Sequence, residues 1–302
     1  MSSADKPHMI SVFDDDGGEL QIPRDAWIKR VLPDNLQQNW DRPEELALII
    51  RASLIEGFAA EVLEAARQLH RIDPEPQRGA MFLAVTLLQL KRYAEAEQVL
   101  KQALTQGEDG VLLTNLAKAY SGLGDEALAN RTLWRALEVD PNQDNGLVWL
   151  MGIERERGGR RAEQEALARL AALPTSWRPQ LWLARTALEQ NNVVAALELY
   201  REALSRVEPA PDDLLMQISG DLGNHGLFAQ AIEICVPRFK ADVHEIVVGK
   251  NLMKAYCDIG QPTQARAILE QLFAHERPGW RKLLVPWEKE LIEIEQMKER
   301  PH

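Results

Sequence analysis

Six histidines, two cysteines, a run of aspartates and one glycine-spaced stretch are the places where this chain could do chemistry. His8, His70, His225, His244, His275 and His302 are scattered. None forms the helical pair around a glutamate that would hold zinc. Cys235 and Cys257 are too few for a four-thiolate site or a disulfide framework, and fit a reducing compartment. Cys235 reads as a core residue. Gly220, Gly223 and Gly226 share the spacing of a nucleotide loop, but no strand precedes them, so they read as turn and helix-packing glycines. Asp14, Asp15 and Asp16 offer the hard oxygen ligands that calcium takes. Glu19 stands where a calcium loop needs its turn glycine, however, and Asp25 replaces the terminal glutamate, which leaves an ordinary acidic turn. No acid, base and nucleophile converge, and the expectation is a chain that is not an enzyme and carries no cofactor and no metal.

The elements that would position these residues are mostly helical. The 302 residues are 45% hydrophobic, 27% charged and 6% aromatic, a globular composition. A formal charge of −11 repels phosphate backbones and anionic lipid, which argues against nucleic-acid and membrane-surface partners. No apolar run reaches the roughly 18 residues of a membrane span. Asp5 and Asp14 to Asp16 occupy the segment where a secretory leader would be apolar, so a cytoplasmic location is expected.

Self-similarity is clearest from Gly110 to Gln143, which holds Leu113, Leu116, Ala117, Tyr120, Gly124, Asp125, Ala129, Leu133, Ala136 and Pro141. Small residues at Ala117, Ala129 and Ala136 allow two helices to approach closely, and the large ones fill the space between hairpins. Gly124 and Asp125 stop one helix and cap the next, and Pro141 ends the second. This segment resembles the tetratricopeptide repeat, a helical hairpin of about 34 residues. Stepping by that period finds further units beginning near Pro43, Gln77, Asp144, Trp177, Asp212 and Ile246. Lys91 with Arg92, and Asn191 with Asn192, stand where the turn glycine is usual. Pro237 should shorten or kink the second helix of its unit. The unit from Asp144 is the least regular: Gly158 and Gly159 mark its turn, but Glu163 or Gln164 falls where alanine is expected.

The resemblance implies an all-α, right-handed superhelical solenoid of about seven hairpins over residues 43–279. Residues 1–42 and 280–302 form its ends. Ile10 and Val12, then Leu20 and Ile22, flank the aspartate run as a short β-hairpin, followed by a docking helix with Trp27, Ile28, Val31 and Leu32. At the other end, Pro286 to Glu299 reads as a capping helix with proline in its first turn and Trp287, Leu291 and Ile294 on one face.

The resemblance also implies a function. First helices of such hairpins line a concave surface, and the inward positions here are Asn115, Lys118, Asn145, Trp149, Arg178, Trp182, Arg185, Gln217, Lys250, Asn251 and Lys254. Basic residues gathered on one surface of an acidic chain favour an acidic or carboxylate-bearing peptide. Asn115 and Asn251 suit an extended peptide backbone, and Trp149 and Trp182 suit interface anchors or the core. The expected role is a protein-binding scaffold or adaptor, monomeric or homodimeric. Two alternatives stand beside it. One is a co-chaperone-like adaptor, whose carboxylate clamp is incomplete because Met81, Val85, Asn145 and Trp149 replace its other members. The other is an accessory subunit that senses a small ligand or dimerises through the N-terminal hairpin.

Overall fold

The computed structural model describes residues 9–13 and 19–299, so the aspartate run proposed as an acidic turn lies outside the described residues. Strands β1 (Met9–Phe13) and β2 (Glu19–Pro23) pair antiparallel, with Ile10 opposite Ile22 and Val12 opposite Leu20. A helical segment follows: α1 (Arg24–Ala26), a π-helical turn (Trp27–Val31) and α2 (Leu32–Gln38). Three hairpins complete the first compact unit, which ends at Asp140. They are α3 (Pro43–Ile55) with α4 (Leu63–Ile72), α5 (Pro76–Gln89) with α6 (Tyr93–Leu104), and α7 (Gly110–Gly122) with α8 (Glu126–Val139). The second unit starts at Pro141 with α9 (Asp144–Ala171). It continues through α10 (Arg178–Glu189) and α11 (Val193–Ser205), α12 (Asp212–Asn224) and α13 (Phe228–Cys235), α14 (Ile246–Asp258) and α15 (Pro262–Ala274), and closes with α16 (Trp280–Glu299).

Local chemistry sets these boundaries. Proline opens α3, α5 and α15, where its missing N–H would have had no partner. The side chains of Asp109, Asp125 and Asn192 accept from the backbone N–H of Leu112, Leu128 and Ala195, capping α7, α8 and α11. Gly124 turns between α7 and α8 at φ 86°, and Lys91 and Asn191 adopt the same left-handed backbone at 59° and 58° where no glycine is present. Helix α13 stops at Cys235, just before the Val236–Arg238 3₁₀ turn that contains Pro237.

Each unit is a stack in which a first helix touches the first helix of the next hairpin: α3 with α5 and α5 with α7, then α10 with α12 and α12 with α14. Small side chains sit at the closest crossings, where Ala84, Ala96, Ala117, Ala129, Ala184, Ala196 and Ala203 are all buried. Ile10 is buried in the same core as Leu32, Leu46, Ile50 and Phe58, so the strand pair packs on its own chain.

Polar ties between hairpins recur at about one period. The Arg78 guanidinium donates to both oxygens of Glu44 at 2.7 Å and to both of buried Asp73 at 2.9 Å. The Gln89 amide donates to the Leu54 carbonyl, Asn142 accepts from the backbone of Trp177 and Arg178, and Asn251 donates to Ser219. Lys240 N–H donates to Nδ1 of fully buried His244, which leaves Nε2–H to donate to the Ala210 carbonyl at 2.9 Å. Hydrogen bonds from Arg78 hold the Glu44 carboxyl below its ordinary 4.5. A lowered folded-state pKa means a stabilisation present above the unfolded value and lost as pH falls through the folded one. Glu44→Gln is therefore expected to lose less in urea midpoint than the parent protein between neutral pH and pH below the carboxylate range. Equal losses would discount the tie.

One expectation needs correction. The terminal helix does not begin at Pro286; it runs from Trp280, with Pro286 in its interior. Trp280, Leu284 and Leu291 bury against the last hairpin, and this packing holds the helix through a position where proline removes a backbone donor. The irregular fourth hairpin keeps its expected turn: it is traced as one long element, but Gly158 (φ −148°, ψ 20°) and Gly159 (φ 66°, ψ −163°) break it into two arms. The alanine slot there is filled by Glu163, which accepts two hydrogen bonds from Arg155 at 2.8 and 2.6 Å.

Candidate binding face of the first helices

The residues expected to face a partner divide into those tied into the framework and those left open. In the first unit Asn115 is buried and its amide donates to the Val111 carbonyl of its own helix at 3.1 Å. Lys118 is exposed, yet the density of protein around it lowers its pKa, because a charge with few waters is disfavoured.

In the second unit Arg178 is buried: Nε donates to the Asn142 carbonyl at 2.5 Å, the fork reaches Asp144 and Asp213, and the plane lies 4.6 Å from the Trp177 ring. The Arg185 Nε donates to Asp221 at 2.8 Å, and Lys254 donates to Asp258 at 2.6 Å. Lys250 stands 5.7 Å from the Trp287 ring and Lys254 5.5 Å from the Phe228 ring. Three of the five basic groups thus meet carboxylates from their own chain, and the positive surface expected of them is largely neutralised. Asn145 is exposed, Trp149 and Gln217 are half-buried, and Asn251 is occupied by Ser219.

Three depressions are relevant. One of about 380 Å³ brings Trp182, Arg185 and Glu189 of α10 together with Arg155, Arg160 and Glu163 of α9, with charges close to balanced. A second, of about 310 Å³, is lined by Lys254, Met253, Cys257, Trp287 and Leu291. The third lies in the first unit between α3 and α5: about 450 Å³, lined by Arg51, Leu54, Ile55, Met81, Phe82, Val85 and Gln89. None of its lining residues was anticipated as a contact. Met81 and Val85 occupy inward positions of their repeat, and their apolar character there, at positions where clamp-type relatives are polar, was the available signal.

Exposed large apolar side chains are unevenly placed. Leu48 and Ile55 on α3, Val111 on α7, Val148 on the first arm of α9 and Val247 on α14 all stand on first helices. Among the described residues, second helices expose only Val194. Thiol chemistry finds little support here: burial pushes Cys235 up to about 12, and burial aided by Asp258 raises Cys257, so both are protonated at neutral pH. Among the described residues no His, Cys, Asp and Glu group has metal-site geometry, and no helix is long and apolar enough to cross a membrane.

The tetratricopeptide repeat family pattern matches residues 59–111. No curated protein matches the chain. Among solved structures the chain is similar to YrrB, a TPR protein with an unusual peptide-binding site, at 17% identity over 58% of this chain and 92% of that one, with a TM-score of 0.35. It is also similar to a tetratricopeptide repeat protein from Parabacteroides merdae, at 16% identity over 83% and 98%, TM-score 0.35. A third is yeast Tom70, at 14% identity over 90% and 59%, TM-score 0.45.

Proposed function

We propose, for a chain that belongs to the tetratricopeptide-repeat superfamily, a non-catalytic role as a scaffold that binds a segment of a partner polypeptide along its first helices. The observation that carries this reading is the placement of exposed aliphatic side chains, five on first helices against one on a second helix. Apolar surface left in water on the first helices of each unit marks a surface that another molecule covers. Half-buried Trp149 and Trp182 add flat amphipathic area of the kind that anchors interfaces.

A photo-crosslinking residue in place of Leu48 or Val148 is expected to capture a polypeptide in native extract. The same residue in place of Val194 captures none. Equal capture at all three, or capture at Val194 alone, would move the binding surface off the first helices. The chaperone-adaptor alternative has less support, because Asn115 directs its amide donor into its own helix. Dimerisation through the strand pair also has less, because Ile10 is buried against its own chain.

A further inference from the structure

We infer that the groove between α3 and α5 receives an apolar anchor of a partner polypeptide, and that a carboxylate beside that anchor pairs with Arg51. The inference rests on the first-helix reading above and adds to it an address and a chemistry.

Four observations support it. The groove is lined by Leu54, Ile55, Met81, Phe82 and Val85, and Ile55 is 75% exposed at its rim, a poor place for an aliphatic side chain unless something covers it. At about 450 Å³ it is an open groove with room for an anchor side chain. Its floor is framed rather than polar, because the Gln89 amide is directed to the Leu54 carbonyl at 3.2 Å. Met81 adapts its flexible thioether to the shape above it, and it also lines an adjoining depression of about 570 Å³ that reaches Val111 and Leu112 on α7. The surface therefore runs on across three first helices, which suits a length of polypeptide better than a small molecule.

The charge argues for the occupant's second feature. Arg42, Arg67, Arg78, Arg92 and Arg135 of the same unit all have carboxylate partners. Arg51, like Arg30 and Arg131, has no hydrogen bond or ion pair among the described residues, and of these three it is the one that lines the groove. The groove itself is lined by no carboxylate. In a chain with an excess of acid, an unpaired arginine beside apolar surface is complementary to an acidic flank on an apolar segment.

The test uses the full chain and fluorescein-labelled synthetic peptides of about twelve residues, with Leu and Phe anchors flanked either by Glu or by Lys. Anisotropy titration is expected to give about fivefold tighter binding for the Glu-flanked peptide at low salt. Arg51→Glu should reverse that preference, and Ile55→Asp, at an exposed position, should weaken both peptides with unchanged helicity. Equal affinities for the two peptides, or an Arg51→Glu variant with the parent's preference, would overturn the assignment. Capture at Val148 combined with indifferent peptide titrations removes this groove and leaves the first-helix reading standing. Selective peptide binding with no capture at Leu48 or Val148 supports the groove and confines the first-helix surface to it.

Discussion

Tyr200→Ala is expected to lower the unfolding free energy of the second unit by about 3–5 kcal/mol, the range for deleting a large buried side chain. Tyr200 is fully buried among the apolar side chains of that unit's core. Its hydroxyl donates to Asp221 at 3.1 Å, and the same carboxylate oxygen accepts from Arg185 at 2.8 Å. Burial, reinforced by the Asp221 charge, raises the phenol pKa, so the hydroxyl remains a donor throughout the accessible pH range. Alanine both empties the site and removes the donor. Tyr200→Phe separates the two effects, because it keeps the ring and should lose only about 0.5–1.5 kcal/mol. Urea unfolding followed by circular dichroism measures both. Similar losses for the two variants would show that the ring's volume contributes little and that the hydrogen bond dominates.

Glu154→Leu carries the opposite sign, an expected stabilisation of about 1–4 kcal/mol. The carboxylate is 1% exposed, and neither oxygen has a hydrogen bond of acceptable geometry, although Arg157 Nη2 lies 2.6 Å from Oε2. It occupies the slot that Tyr120 fills in the preceding hairpin, a place built for a large, mostly apolar side chain. Desolvating a carboxylate there outweighs one ion pair to a solvent-facing arginine. Leucine removes that penalty, and Arg157, two-thirds exposed, stays hydrated without its partner. A drop in unfolding midpoint for Glu154→Leu would mean that the ion pair, and not the burial, decides the balance at this position.

The hairpin architecture was legible because its signals are steric. Ala117, Ala129 and Ala136 report close helix crossings, and Asp125 reports a helix start, whatever surrounds them. The terminal helix shows where local rules stop: Pro286 reads as a first-turn residue, and only the burial of Trp280 and Leu284 against the preceding hairpin extends the helix upstream of it. The binding face was less legible for a different reason. Arg185 and Arg178 read as free cations because their partners Asp221 and Asp213 belong to the next hairpin, about one period away in sequence. Met81 and Val85 entered only as departures from the clamp pattern, because apolar type alone does not say which side of a helix is covered.

The polar ties described between hairpins link residues about one period apart, as in Arg78 to Glu44, Gln89 to Leu54 and His244 to Ala210. Contacts of such short sequence separation impose little loop-closure entropy. Each unit should therefore nucleate from any adjacent pair of hairpins, grow outward quickly, and open first at its outermost hairpin, giving graded amide exchange instead of a single all-or-none transition.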